Sequence, residues 1–209
     1  MKVIYCEQRS QEWYELRAGS IGGNRLGAVI SGRKNRLAYD LLNEQLNGIA
    51  QMDDYINDDM MFGIENEPIA RDLYSKQSGI EFTECGLIKS ETSAIHHASP
   101  DGINLERGIV LEIKCTTNGA IHLQRFFEGV EAAHLPQIIN YFAVSDEIKE
   151  VHWVSYCPER VERDLIVFIY NRETYTDSIR IAREKIKEIE LALIAMKSKF
   201  LPVLQPVEF

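Results

Sequence analysis

The segment GIVLEIKC at residues 108–115 constrains the fold of this chain most. It is apolar and rich in β-branched residues, which favours a buried β-strand. Glu112 and Lys114 interrupt the apolar run. Because side chains in a strand alternate between its two faces, these two residues share one face and Ile113 points to the other. An unpaired buried charge is costly, so this face requires a compensating partner or a cleft.

The order of helical and strand-like segments predicts an α/β fold. Apolar residues recur at helical spacing at residues 10–16, 25–30, 37–49, 61–78, 120–132, 135–143 and 175–200. Strand-like patterns occur at residues 81–88, 94–98, 108–115, 150–156 and 164–170. This order predicts a central mixed β-sheet flanked by helices. We expect one domain over residues 1–209, with a helical part at 9–79, a sheet core at 80–170 and a closing helix at 175–200.

Composition excludes several classes of protein. The chain has 209 residues, 45% of them hydrophobic and 26% charged, which is a poor fit to a disordered protein. Its 32 acidic residues exceed its 23 basic ones, and the net charge of -9 argues against a protein that coats nucleic acid by bulk charge. No apolar run approaches the length of a membrane span, and the first ten residues, MKVIYCEQRS, do not contain the apolar core typical of a signal peptide. We therefore expect a cytoplasmic protein with no membrane partner.

The cysteines and histidines do not indicate a zinc site. The four cysteines, at positions 6, 85, 115 and 157, lie far apart and form no pair at zinc-ligand spacing. His96 and His97 are adjacent, so in a strand they point to opposite faces. Scattered buried thiols are the expectation for a reducing compartment.

A further acidic residue precedes the strand that contains Glu112 and Lys114. Asp101 lies between Pro100 and Gly102, which favours a turn at the end of a strand or the start of a hairpin. Such a turn brings Asp101 close to Glu112, Lys114 and the carbonyl of residue 113. Two carboxylates and a carbonyl oxygen suit Mg²⁺ or Mn²⁺, which keep waters in their remaining positions. The lysine can position or deprotonate one of those waters, or screen charge at a phosphorus atom.

A purely structural interpretation accounts for the same residues. An exposed ion pair between Glu112 and Lys114 requires no catalysis, and an aspartate followed by Glu-x-Lys is common by chance. On these residues alone the two interpretations are evenly balanced. The apolar residues around Glu112 and Lys114 favour the functional one, because charges in such a setting need compensation.

The same residues resemble a nuclease signature. Ser99-Pro-Asp101 with Glu112-Ile-Lys114 resembles the PD-(D/E)XK motif, and the flanking sequence is similar to that of the lambda-exonuclease-like (YqaJ-type) viral alkaline exonucleases of that superfamily. The other matching stretches are Arg9-Ser-Gln-Glu-Trp13, Leu16-Arg17-x-Gly19, Gly63 with Glu67-x-x-Ala70-Arg71-x-Leu73, residues 86–99, and Gln137 with Tyr141. The resemblance spans residues 9–170 and implies a restriction-endonuclease-like core.

The resemblance also implies a set of metal ligands. Asp101 and Glu112 would bind metal together with the carbonyl of Ile113, and Glu67 would hold a second ion or its water. The implied cofactor is Mg²⁺, with Mn²⁺ as the alternative, at two ions per site. Paired ions suit phosphodiester hydrolysis because they stabilise both the attacking and the leaving oxygen. A solvated helix position would explain Glu67 without a metal.

Further catalytic roles follow from the same resemblance. Lys114 would be the catalytic lysine near the attacking water. Gln137 would orient that water or the lysine, although an ordinary polar helix face would account for a glutamine equally well.

The resemblance further implies a pocket for a terminal phosphate, formed by three residues. Arg17 matches the position that grips the 5′-phosphate of the DNA, a task that suits the planar arginine fork. Ser99 matches one hydroxyl residue of that pocket, whereas the position of the second is occupied by Asn24. An amide can still donate a hydrogen bond, so this departure affects the strength of 5′-phosphate preference. A surface charge at the end of a helix is the alternative explanation for Arg17.

Additional DNA contacts are hypotheses. Arg33, Lys34 and Arg36 form a predicted basic loop that could follow duplex phosphates or could be a solvated turn. Met60, with Met61, precedes the Glu67 helix, where the family places an apolar residue that wedges into the end of the duplex. Two core methionines are the alternative.

The resemblance implies a metal-dependent exonuclease that degrades one strand of linear double-stranded DNA from 5′ to 3′. Its products would be mononucleotides and 3′ single-stranded overhangs for phage-type recombination. A homotrimeric ring and a single-strand annealing protein are the implied partners, in the cytoplasm of a bacterial host. One alternative is another PD-(D/E)XK nuclease, either an endonuclease or a single-strand exonuclease of the RecB or Cas4 type. The other is a non-catalytic nucleic-acid-binding module.

Overall fold

The computed structural model describes residues 1–32, 34–51 and 57–201. The helices are α1 (Gln11–Arg17), α2 (Gly23–Ile30), α3 (Lys34–Asn47), α4 (Asp58–Ser78), α5 (Gly119–Glu128), α6 (Leu135–Val144) and α7 (Thr176–Phe200). The strands are β1 (Lys2–Ile4), β2 (Leu87–Lys89), β3 (His97–Ala98), β4 (Gly102–Asn104), β5 (Ile109–Cys115), β6 (Glu150–Tyr156) and β7 (Leu165–Asn171). Within these ranges, no helix combines the length and apolar character needed to cross a membrane.

The central sheet is mixed, as the sequence predicts. Its strand order is β4-β5-β6-β7. The β4–β5 and β6–β7 pairs are antiparallel, and β5 runs parallel to β6. A parallel pair needs a long crossover, which α5 and α6 provide. The strand with the β-branched run, β5, is therefore hydrogen-bonded on both sides.

A second, smaller sheet is additional to the prediction. It has the order β1-β2-β3, and both of its pairings are antiparallel. In place of the strand-like segments predicted at 81–88 and 94–98, the structure has the shorter strands β2 and β3. Sequence analysis missed β1 and β4, because three-residue strands carry too little alternation to be distinguished from loop.

Helices cover both faces of β5. Leu111 and Ile113 pack with Ala70 and Tyr74 of α4 in one apolar cluster. Val110 belongs to the second cluster, which includes apolar residues of α2, α6 and α7. The strand thus has alternating residues in two core layers, as expected for a sheet buried on both faces.

Part of the predicted basic loop belongs to helix α3. The sequence suggested a loop over residues 31–36, but α3 already begins at Lys34. Arg36 forms an exposed ion pair with Asp40, with 3.0 Å between Arg36 Nε and Asp40 Oδ1, and such i,i+4 pairs favour helix. Arg33 and the side chain of Lys34 lie outside the described residues.

The helix that carries Glu67 begins earlier than predicted. It starts at Asp58, and the Asn57 side chain caps it by accepting a hydrogen bond from the Met60 N–H at 2.8 Å. Met60 and Met61 therefore lie in the first turn of α4. Both are exposed, 41% and 44%, so the alternative that they are core residues is wrong.

A buried carboxylate joins the elements that follow α1. Glu44 of α3 is 4% exposed and accepts hydrogen bonds from the backbone N–H of Gly19 (3.0 Å), the N–H of Gln51 (3.1 Å) and both terminal nitrogens of Arg25. Gly19 has φ 62°, and a Cβ there would lie 2.0 Å from the Gln45 side chain, so the tight turn after α1 requires glycine. Burial acts to raise the pKa of Glu44, but the hydrogen bonds and the charge of Arg25 outweigh it and lower the pKa.

We expect Glu44→Gln to lower the free energy of unfolding at pH 7 by about 2 kcal/mol, because Arg25 loses a charged hydrogen-bond partner. A depressed carboxyl pKa contributes stability above the ordinary value of 4.5, and that stability is lost as the pH falls through the folded-state pKa. The wild type should therefore lose stability more steeply below pH 4.5 than Glu44→Gln. Urea unfolding at pH 7 and pH 4 measures both effects. Equal behaviour of Glu44→Gln and the exposed control Glu106→Gln would contradict this account.

Candidate active site

One cavity of about 380 Å³ brings most of the predicted site residues together. It lies where the start of β4 and the end of β5 meet α1, α2, α4 and α6. The predicted residues that line it are Arg17, Asn24, Met60, Glu67, Ser99, Asp101, Glu112, Ile113, Lys114 and Gln137. Arg36 is not among the lining residues. The cavity therefore joins the proposed metal ligands and the proposed phosphate pocket in one space.

The centre of the cavity is a buried carboxylate on β5. Glu112 is 1% exposed, and its two oxygens accept hydrogen bonds from the Lys114 ammonium and from the Tyr141 hydroxyl of α6. Lys114 lies on the same face because it is two residues away in a strand. The sequence prediction that Glu112 and Lys114 share a face, with Ile113 opposite, is confirmed by these contacts and by the packing of Ile113 against α4.

A hairpin fixes Asp101 beside Glu112. The Asp101 N–H donates to the Leu111 carbonyl at 3.0 Å, and Asp101 Oδ2 accepts the N–H of Ile113 at 2.6 Å. From α4, Arg71 donates to the Asp101 carbonyl and also bonds Glu84. These contacts hold the aspartate at the turn that the Pro-Asp-Gly sequence predicts.

Glu67 enters the cavity from α4. It lies three residues before Ala70 on α4, so both are on the helix face that packs toward β5. Its carboxylate is paired with Arg9, with 3.6 Å between Arg9 Nη2 and Glu67 Oε2. The helix thus adds a third carboxylate to a cavity that already contains two.

The three carboxylates repel one another electrostatically. Burial raises the pKa of Asp101 well above its ordinary value, and the charges of Glu112 and Glu67 raise it further against the opposing effect of Lys114. Burial also raises the pKa of Glu67, with Arg9 and Lys114 opposing. For Lys114, burial acts to lower the pKa, but Glu112 and Asp101 outweigh it and raise the pKa. Perturbed groups concentrated in one cavity are typical of a functional site.

The donor set fits a hard divalent cation. Asp101, Glu112 and Glu67 supply only oxygen atoms, and Ile113 adds a carbonyl oxygen beside them. Among the described residues, no group of three His, Cys, Asp or Glu side chains is clustered as in a preformed metal site. Glu112 is instead satisfied by Lys114 and Tyr141. A cation would therefore bind by taking over part of the charge compensation that Lys114 now provides.

Arg17, Ser99 and Asn24 line the same cavity and form a candidate phosphate pocket. The Arg17 guanidinium stacks on Trp13, with 3.7 Å from its carbon to the ring centroid, and Arg17 Nε donates to His97 Nε2 at 3.1 Å. The buried Ser99 Oγ has no hydrogen-bond partner among the described residues. Asn24 lies in the first turn of α2, whose N-terminus also favours an anion.

A neutral histidine orients Arg17. Burial lowers the pKa of His97 well below its ordinary value, and the Arg17 charge lowers it further. Because Nε2 accepts from Arg17, the proton resides on Nδ1, which lies 2.7 Å from Ser20 Oγ. Ser20 in turn donates to the Arg17 carbonyl at 2.7 Å.

Sequence analysis missed the roles of several lining residues. Gln8 is not singled out by the sequence, His97 is considered there only as a possible metal ligand, and Arg9, Trp13 and Tyr141 are included only in matching stretches. The position of Tyr141, four residues after Gln137 and so on the same face of α6, was the available signal. His97 gave no signal as a single residue, because its role depends on Arg17 and Ser20, which are distant in sequence.

Comparison with known proteins identifies the class. A family model described as the YqaJ-like viral recombinase domain matches residues 12–147. That match covers well over half of the chain, and the protein belongs to this family. No significant match is found among curated proteins.

Solved structures share the fold. An alkaline exonuclease, LHK-Exo from Laribacter hongkongensis, is 26% identical with a TM-score of 0.74, and the match covers 91% of this chain and 97% of that chain. The complex of LHK-Exo with dAMP gives 24% identity and a TM-score of 0.73, with the same coverage. A phage-related exonuclease from Haemophilus somnus 129PT gives 14% identity and a TM-score of 0.54, over 85% of this chain and 96% of that chain. The predicted restriction-endonuclease-like fold is confirmed.

We expect two substitutions in the cavity to change stability in opposite directions when no divalent metal is present. Lys114→Met should cost about 3 kcal/mol, because it leaves the buried Glu112 carboxylate without its cation. Asp101→Asn should add about 1 kcal/mol, because it removes one of three repelling carboxylates while Asn can still accept the Ile113 N–H. Thermal unfolding in EDTA measures both. A loss of stability in Asp101→Asn equal to that in Lys114→Met would show that charge repulsion is not the dominant feature of the site.

Proposed function

We propose that this protein is a metal-dependent exonuclease that degrades one strand of linear double-stranded DNA from 5′ to 3′. The observation that carries the proposal is one cavity that is lined both by three carboxylates with Lys114 and by Arg17 with Ser99. Membership of the viral recombinase family and the 26% identity to an alkaline exonuclease support a nuclease. The products are 5′-mononucleotides and a duplex with a 3′ single-stranded overhang, suited to phage-type recombination.

The carboxylates of the cavity supply the hydrolytic chemistry. Asp101, Glu112 and the Ile113 carbonyl would hold Mg²⁺ or Mn²⁺, and Glu67 would hold a second ion or its water. When bound, such ions generate a hydroxide nucleophile and stabilise the charge on the phosphorus and the leaving oxygen. The residues fit such ions because the three carboxylates repel one another, and Lys114 and Arg9 compensate this repulsion only in part.

Side chains around the carboxylates orient the reactants. The raised pKa of Lys114 keeps its ammonium protonated, so it donates hydrogen bonds to the attacking water or to phosphoryl oxygens. Tyr141 holds one Glu112 oxygen and thereby fixes the carboxylate plane. Gln137, which lines the same wall, would orient the attacking water.

The candidate phosphate pocket determines the polarity of digestion. The Arg17 fork can bind two oxygens of a terminal phosphate, and its stacking on Trp13 and hydrogen bond to His97 reduce the entropy lost when it does so. Ser99 Oγ and the Asn24 amide would complete the contacts. A terminal 5′-phosphate held here places the adjacent phosphodiester toward the carboxylates, which gives 5′ to 3′ digestion.

Other features of the proposal concern the assembly. Met60 is exposed at the cavity and would wedge into the end of the duplex, and Arg36 would contact duplex phosphates. A homotrimeric ring, a single-strand annealing partner and a cytoplasmic location remain proposals carried over from the family resemblance.

The decisive experiment uses a linear duplex with a 5′-phosphate on only one strand, a distinct fluorophore on each strand, and Mg²⁺ or EDTA. We expect mononucleotides from the phosphorylated strand, persistence of the other strand, and no digestion in EDTA. Covalently closed circular DNA should remain intact. Cleavage of the circle would indicate an endonuclease, and digestion from 3′ ends would contradict the assigned polarity.

Matched variants connect that activity to the cavity. Asp101→Asn, Glu112→Gln and Lys114→Ala should abolish digestion, and Glu67→Gln should reduce it at least tenfold. Glu65 lies on the same helix but is exposed and outside the cavity, so Glu65→Gln should retain the wild-type rate. Circular dichroism identifies any variant that has lost its fold. Equal rates for Glu67→Gln and Glu65→Gln would remove Glu67 from the mechanism.

A further inference from the structure

Arg9 has an unusual backbone conformation at the edge of the cavity. Among the described residues it is the one non-glycine residue with positive φ, at 67°. It occupies the third position of a turn closed by a hydrogen bond from the Ser10 N–H to the Glu7 carbonyl at 3.3 Å. Such a φ normally selects glycine, because a Cβ is strained there.

Neighbouring contacts hold this conformation in place. The Gln8 amide donates to the carbonyls of Cys85 and Pro100, at 2.9 and 3.0 Å. On the other side, the Ser10 hydroxyl caps α1 by accepting the Trp13 N–H. Both residues that flank Arg9 are therefore anchored, and strain that the surroundings impose in this way is concentrated at functional sites.

The turn directs the Arg9 side chain into the cavity. Arg9 lines the same cavity as Glu67, Asp101 and Lys114, and its guanidinium lies 3.6 Å from the Glu67 carboxylate. Its nearest described partner is Glu67, but the 3.6 Å pair involves a side chain that is 40% exposed. The Glu67 side chain is 21% exposed, so the pair is partly open to solvent, and at that length it contributes little stability and does not by itself account for a strained arginine.

We propose that Arg9 is a substrate-binding residue whose guanidinium contacts a non-bridging oxygen of the scissile phosphodiester. This inference rests on the proposed nuclease function. A phosphodiester placed between Glu67 and Asp101 would meet three carboxylates, and Arg9 provides a cation on the Glu67 side while Lys114 provides one on the other. The contact differs from that of Arg17, which would hold the terminal phosphate.

The variants Arg9→Gly and Arg9→Ala separate the backbone from the guanidinium. Both remove the side-chain contact, but glycine alone relieves the strain. We expect each to lower kcat/KM on a linear 5′-phosphorylated duplex by about 10- to 100-fold, the effect of losing one charge-assisted hydrogen bond. The unfolding temperature of Arg9→Gly should nevertheless equal that of the wild type or exceed it by up to about 3 °C.

A salt titration tests the phosphate contact independently of cleavage. Duplex binding is followed by fluorescence anisotropy without Mg²⁺ over a range of NaCl concentrations. Loss of one phosphate contact should reduce the slope of log K against log[NaCl] by about 1 in both variants. Arg9→Lys keeps the charge and should keep the slope, whereas Arg107→Ala, at an exposed position outside the cavity, should change neither slope nor kcat/KM.

Each outcome has a distinct meaning. If Arg9→Gly keeps the wild-type slope of log K against log[NaCl], Arg9 does not contact a phosphate and the proposal is wrong. A fall in activity in that case would mean that Arg9 acts by positioning Glu67. If Arg9→Gly loses both activity and thermal stability, a structural role replaces the proposal. If the wild type neither binds nor digests linear duplex, the proposed function fails and the assignment of Arg9 fails with it.

Discussion

A carboxylate buried in the middle of an apolar strand determines much of this structure. Glu112 is almost inaccessible to solvent, and burial of a charged group is tolerated only when hydrogen bonds and an opposite charge compensate it. Lys114 provides the charge from the same strand face, and Tyr141 provides a hydroxyl from α6. The strand therefore needs α6 packed at one defined position. Asp101, held by the backbone of the adjacent hairpin, adds a charge that the protein alone does not fully compensate.

Contacts outside the central sheet hold the elements around the cavity together. Gln8 joins the segment before α1 to the carbonyls of Cys85 and Pro100, immediately before Asp101. His97 of β3 holds Arg17 of α1, and Glu44 of α3 fixes the turn that follows it. The small sheet and the first three helices thus position the candidate phosphate pocket, whereas the β4–β5 hairpin positions Asp101 and Glu112, and α4 positions Glu67.

The parts of this structure that were predictable from sequence are local. The β-branched run identified β5, and strand alternation placed Glu112 and Lys114 on one face because both signals lie within eight residues. The central mixed sheet and its flanking helices followed from periodicity. By contrast, β1 and β4 have three residues each and form because of their partners. The positive φ of Arg9 occurs beside Gln8, whose side chain is hydrogen-bonded to the distant carbonyls of Cys85 and Pro100, and no local pattern reveals these contacts. The roles of His97 and Tyr141 depend on residues more than twenty positions away.

The central claim is that Asp101, Glu112 and the Ile113 carbonyl form a divalent-metal site that the rest of the cavity serves. Anomalous diffraction from crystals grown with Mn²⁺ tests it most directly. The account predicts a peak bounded by these three groups in the wild type and its absence in Glu112→Gln. A wild-type map with no peak there, or with Mn²⁺ bound only elsewhere, would contradict the claim.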